Sequence, residues 1–173
     1  MIKNIVLAID GSGPARHAQD MAIDIASKYS ASLTIVHVLT HDHPSSEFSR
    51  MAEVEHMVET RQPEVAGSEG AYKSIGRFLG SGGDEKEARV VVLIGEQLLQ
   101  QASKSAKQAG LTNVTTTIRN GDYANCILEV AQKVGADTIV MGRRGLSNLK
   151  GFVTGSVSHK VSQRAECSVL TVK

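Results

Sequence analysis

The chain has 173 residues, 41% of them apolar and only 3% aromatic, with no tryptophan and a formal net charge of +1. That length fits one domain with one aliphatic core, and that apolar share excludes disorder as an overall reading. Scarce aromatics exclude a single-strand nucleic-acid reader, which stacks bases on rings, and scattered lysines and arginines exclude the basic stripe that a phosphate backbone requires.

In chain order, residues 4–9 (Asn-Ile-Val-Leu-Ala-Ile) form a short apolar run ended by Asp10-Gly11-Ser12-Gly13-Pro14. The pattern predicts a strand, a turn and a helix start, with Pro14 in the first turn. Ala18, Met21, Ala22, Ile25, Ala26 and Tyr29 then recur at three-and-four spacing, predicting one buried helix face. A second strand is expected over Ser32–Val38. The opening apolar stretch is too short for a signal-peptide core, and the longest apolar run, Val90–Ile94, falls far below the ~20 residues that span a bilayer. With two cysteines, Cys126 and Cys167, far apart and expected as buried free thiols, the cytoplasm is the expected compartment and no membrane partner is expected.

Residues 39–87 are rich in Pro, Gly and Ser and read as loops, with a short helix near Met51–Thr60. A helical pattern returns over Ala88–Ala109, with Ile94, Leu98, Ala102, Ala106 and Ala109 on one side and Gly110 at its exit. Val114–Arg119 alternates apolar and polar residues, which suits an edge strand. Asp122 stands where a helix N-cap belongs, before a stripe of Ala124, Ile127, Leu128, Ala131 and Val134. Thr138–Met141 is short and apolar, as buried parallel strands are. A helix over Ser156–Arg164 and a strand over Ser168–Val172 complete the pattern. Alternating strands and helices predict a parallel sheet with helices on both faces, whose ligands bind at the carboxyl ends of the strands, where the strand order reverses.

The loop after the fourth strand carries the chemistry. It reads Gly142-Arg143-Arg144-Gly145, nine residues, then Gly155-Ser156. Gly142 and Gly145 let backbone N–H groups approach an anion. Gly155-Ser156 opens a helix whose first N–H groups lack internal partners and suit a phosphate. The Ser156 hydroxyl adds a donor, and Arg143 and Arg144 bring charge to neutralise a triphosphate.

This glycine spacing resembles the ATP-binding signature of the universal stress proteins. Lys3–Ser12 resembles that family's first strand and acidic turn, Gly135–Gly142 its fourth strand, Gly155–Ser158 its last helix and Cys167–Val172 its final strand. The resemblance covers about residues 1–39 and 88–173, leaving a long variable insertion at about 40–87 within one domain. It implies a five-stranded parallel sheet in the order 3-2-1-4-5, a Rossmann-like nucleotide-binding α/β fold. It further implies that Asp10 and Gly142 face one another across the site, with Asp10 on the ribose or adenine edge. By the same resemblance, Val38 and Met141 line the adenine pocket with Ala8 and Ile9 nearby, Gly142 lies by the ribose, and Gly145, Gly155, Ser156 and Val157 hold the phosphates; Arg144 joins the expected nucleotide-binding residues through its charge rather than through the resemblance. The implied ligand is ATP, with or without Mg2+, and the implied assembly is a homodimer through Val169–Val172.

Other signals carry less. Gly80-Ser81-Gly82-Gly83-Asp84 reads as a linker rather than a phosphate loop, because it does not follow the first strand. No dinucleotide fingerprint and no P-loop lysine are present. His37, His41 and His43 lack further ligands at metal spacing, and Ser156 has no defensible catalytic partner, His159 being merely one turn on. Three functions stay open at this point: a nucleotide-holding stress or signalling switch, a slow ATP hydrolase using the same loop, and a dimeric scaffold that holds no nucleotide.

Overall fold

A computed structural model of the chain describes residues 1–39, 85–146 and 155–173. The helix expected near Met51–Thr60, the Gly80–Asp84 linker, His41, His43 and the middle of the glycine-rich loop lie outside the described residues. The described elements run β1 (Asn4–Ile9), α1 (Gly13–Tyr29), β2 (Ser32–Leu39), α2 (Glu85–Gln108), β3 (Val114–Asn120), α3 (Tyr123–Val134), β4 (Thr138–Gly142), α4 (Ser156–Arg164) and β5 (Ser168–Val172). Every expected strand is present, β2, β3 and β4 each extending one residue further.

The strands form one parallel sheet in the order β3-β2-β1-β4-β5. β1 lies at the centre and pairs on both sides, so five of its six residues are buried and it carries no polar face. β3 and β5 are the edges and stay partly exposed along their length. Chain alternation sends successive side chains to opposite faces and builds two cores. Ile5, Leu7 and Ile9 pack with α1 and α2, through Ala18, Ala22, Val92 and Leu98 among others. Val6, Ala8, Val36, Val38 and Met141 pack with α3 and α4, through Ile127, Val130 and Val161.

Local chemistry sets the helix ends. Ser12 caps α1, its hydroxyl accepting from the Ala15 N–H at 3.2 Å, with Pro14 in the first turn as the sequence suggests. Asp122 caps α3 by accepting from the Asn125 N–H at 2.9 Å. Asp137 Oδ2 accepts the N–H groups of Lys3 and Asn4 at 2.7 and 2.9 Å and so fixes the start of β1 beside β4. The N–H of Asn4, then that of Lys3, hold this carboxyl below its ordinary pKa.

Three helix faces differ from the periodic reading. Met21 and Tyr29 are 43% and 45% exposed; the buried stripe of α1 is Ala15, Ala18, Ala22 and Ala26 with Ile23. Small side chains bring this helix close to the sheet, and the larger residues fall outside the narrow contact. In α2, Leu99 and Val92 are buried and Ala109, beyond the helix end, is exposed. In α3, Cys126 and Val130 are buried where Leu128 and Val134 are half-buried. Of the two free thiols, Cys126 is buried and Cys167 is not fully so. No helix among the described residues is long and apolar enough to cross a membrane.

Candidate nucleotide-binding site

The strand order reverses between β1 and β4, and their carboxyl ends open into a cleft of about 780 Å³, its solvent-facing mouth included. Ala8, Ile9, Asp10, Val38, Met141, Gly142, Arg144, Gly145, Gly155, Ser156 and Val157 all line it. Residues from both ends of the chain thus meet at one place, where ligands of such sheets bind. Ile9 borders the cleft although its side chain packs into the opposite core.

The cleft has two chemically different ends. Val36, Val38, Met141 and Ile127 give one end an aliphatic wall. The other is built from glycine backbone and the start of α4. Gly142 is held tightly: a Cβ there would stand 3.0 Å from the Ala15 nitrogen and from the Arg144 oxygen, and 3.1 Å from the Pro14 carbonyl carbon. Its lack of a side chain therefore lets the end of β4 pass the start of α1. A Cβ on Gly145 would stand 2.6 Å from Asp10 Oδ2, so Gly145, rather than Gly142, is the loop glycine in closest approach to the Asp10 carboxylate. The other oxygen, Oδ1, accepts from the Ser12 N–H at 3.0 Å, which ties Asp10 to the entry of α1.

Backbone and hydroxyl contacts fasten the described parts of the loop. The Arg143 N–H donates to the Val172 carbonyl at 2.6 Å, and the Gly155 N–H donates to the Arg143 carbonyl at 2.9 Å. Ser158 is buried, and its hydroxyl reaches the carbonyls of Arg143 at 2.8 Å and Gly155 at 3.0 Å. The two ends of the loop are thereby clamped together. Gly155 is the N-cap of α4 and offers no side-chain bond to the helix. The first N–H groups of α4 are the ones such a helix leaves without internal partners, and they suit an anion. The Arg143 Nε is buried with no hydrogen-bond partner among the described residues.

On the far side of β2, His37 is 3% exposed and its Nδ1 lies 2.8 Å from the Ile9 carbonyl. A carbonyl only accepts, so Nδ1 carries the proton and the ring is the Nδ1–H tautomer. Burial, ahead of the opposing effects of that bond and of Asp10, holds its pKa below the ordinary histidine value. His37 is thus a core histidine that braces the end of β1. Among the described residues no group of three or more His, Cys, Asp or Glu side chains could hold a metal ion.

Val36, Ile127, Tyr123 and Ser158 belong to the cleft and were not singled out as site residues from sequence. Val36 was recoverable, since strand alternation places it on the face of Val38. Ile127 was legible only as a helix-stripe residue. Tyr123 and Ser158 gave no local signal, because their roles depend on how α3 and α4 sit against the sheet.

A doubly wound parallel sheet with a glycine-lined cleft at its reversal point defines a nucleotide-binding type of α/β fold. The universal stress protein family model matches residues 1–173, and the chain belongs to that family. Universal stress protein YxiE of Bacillus subtilis strain 168 is 33% identical over 175 residues, covering 100% of both chains. Among solved structures, the universal stress protein UspA of Lactobacillus plantarum superposes with a TM-score of 0.72 at 19% identity, over 99% of this chain and 98% of that one. A universal stress protein solved in complex with cAMP superposes with a TM-score of 0.63 at 25% identity, over 99% and 97%.

Proposed function

We propose that this protein holds an adenine nucleotide, ATP by preference, and acts as a nucleotide-dependent switch in stress response or signalling. The observation that carries the reading is a cleft with an aliphatic end and a glycine-backbone end, the mostly apolar lining with a few placed polar groups that small-ligand sites have. The aliphatic end suits a base, Asp10 a ribose hydroxyl, and the region of Gly145, Gly155, Ser156 and Val157 the phosphates. Arg143 and Arg144 border the same end and bring cationic charge toward it. Mg2+, where it accompanies ATP, takes most of its ligands from phosphate and water, as that ion commonly does. The cAMP complex of a relative in the same family supports an adenine ligand. Two unpaired thiols suit a reducing cytoplasm.

The test is to denature the purified protein, identify any released small molecule by mass spectrometry, and titrate the stripped protein with ATP. Released ATP, or saturable binding without turnover, is the expected result. ATP consumption at about 1 per second or faster, the low end for typical enzymes, would favour a hydrolase instead. Absence of both nucleotide and binding would favour a scaffold. Gly145→Val places its Cβ against the Asp10 carboxylate and should abolish ATP binding while circular dichroism reports an unchanged fold.

A further inference from the structure

The aliphatic end of the cleft contains one departure from its chemistry. Tyr123, the first residue of α3, lines the cleft beside Ile127, and among the described residues every other side chain on that wall is aliphatic or a thioether. The ring is half-buried against the core formed by Val38, Met141 and Ile127. In a chain with three Tyr, three Phe and no Trp, an aromatic ring at this place is a specific feature.

Its backbone is also fixed from two sides. Asp122 accepts from the Asn125 N–H at 2.9 Å and so sets the first turn of α3. From α4, Lys160 pairs with Asp122 at 3.8 Å, and Arg164 Nη1 donates to Asn125 Oδ1 at 2.7 Å. α4 is the helix whose start forms the phosphate end of the cleft. The same helix therefore offers N–H groups at one end of the ligand and positions Tyr123 at the other. A tyrosine on a fixed helix turn has only two side-chain torsions left to settle on binding, which is how aromatic residues give affinity at low entropic cost.

We infer that Tyr123 is the base-contacting aromatic residue of the cleft, a platform that selects a flat heterocyclic base over an apolar group of similar volume. The inference rests on the nucleotide reading and specifies how the base is recognised. Val36, Val38 and Met141 contribute dispersion to any apolar group that fits. A tyrosine ring adds π-stacking, which every nucleobase offers and which grows with the larger purine face.

The test uses the stripped full-length protein, with Tyr123→Leu and Tyr123→Phe variants, titrated with ATP and separately with inorganic tripolyphosphate. Tyr123→Leu keeps apolar volume but loses the ring. It should weaken ATP about tenfold, the range of one base stack, and leave tripolyphosphate binding at the parent level. Tyr123→Phe should keep the parent affinity for ATP. Without tryptophan, the protein's fluorescence comes from tyrosine, so ATP should quench the parent and quench Tyr123→Phe markedly less. Parent-like ATP binding by Tyr123→Leu overturns the inference, as does an equal loss of tripolyphosphate binding, which would make Tyr123 a structural residue. Equal quenching in the parent and in Tyr123→Phe overturns it as well, and decides the matter where tripolyphosphate binds too weakly to measure. A parent that binds no ATP removes the nucleotide reading itself, a result distinct from the others.

Discussion

Ser156 and Ser158 stand two residues apart at the start of α4 and have different physical roles. Ser156 is exposed at the mouth of the cleft, whereas Ser158 is 2% exposed and bonds the carbonyls of Arg143 and Gly155. Ser158→Ala should lower stability by about 1 kcal/mol, the usual net worth of a hydrogen bond, and loosen the loop clamp. Ser156→Ala should change stability by less than about 0.5 kcal/mol, as surface substitutions do. Its effect should appear in ATP affinity instead, at about 1 kcal/mol for one hydrogen bond. Urea denaturation and calorimetric titration of both variants separate the two roles. Sequence reading found Ser156 because a helix-opening serine has a local signature. It missed Ser158 because a buried hydroxyl on a helix is recognised only from the carbonyl it reaches, here one fifteen residues away.

At the scale of elements, β2 shows how one strand serves both faces of the sheet. Val36 and Val38 line the cleft, and His37 between them points into the opposite core, where α2 presents Gly95. A Cβ on Gly95 would stand 2.7 Å from the His37 ring, so the helix approaches the strand only because that position has no side chain. Nε2 of the ring has no hydrogen-bond partner among the described residues, and protonation would put a charge there. Because the folded-state pKa lies below the ordinary histidine value of 6.5, the unfolded chain takes up the proton first as pH falls. Stability from this group is therefore fully present above pH 6.5 and is lost as pH drops below it. The loss has a ceiling of about 1.4 kcal/mol per pH unit for one proton. Urea midpoints of the parent should fall between pH 6.5 and about 5.5, whereas His37→Gln, with no titrating ring, should show a flatter profile there. Strand existence and order of elements were legible from period and punctuation. Which helix residues are buried was less so: α1 touches the sheet along a stripe of alanines, and periodicity alone favoured the larger Met21 and Tyr29.

At the scale of the whole molecule, β5 ends the sheet with an edge that has no strand beyond it among the described residues. Unpaired strand edges are templates for a second strand, and we propose that two copies of the chain pair here, through Val169–Val172. The ladder gives a clean test. Ser168 donates its N–H toward Asp137 and Val172 accepts from the Arg143 N–H, so the residues in phase with them face β4. Val169 and Thr171 then direct their N–H groups to the open edge, because backbone groups alternate sides along a strand. Thr171→Pro removes one outward donor and leaves the β4–β5 pairing intact, as proline is tolerated on the free side of edge strands. Light scattering after size-exclusion should report a dimer for the parent and a monomer for Thr171→Pro, with similar thermal midpoints. A parent that elutes as a monomer would remove the proposed interface.

The sequence by itself determined the class of fold and the address of the cleft. Short apolar strands, helix caps at Ser12 and Asp122, and glycines spaced between a buried strand and a helix are local properties, set by backbone geometry within a few residues. Its resemblance to the universal stress proteins added the strand order, which the sheet bears out. Only the tertiary structure decided what each glycine is for: Gly142 admits the start of α1, and Gly145 approaches Asp10. It alone brought Tyr123 to the cleft, buried Ser158 against Arg143 and set His37 against Gly95. These are contacts between residues far apart in the chain, and their partners are chosen by the packing of helices on the sheet, which no local pattern encodes.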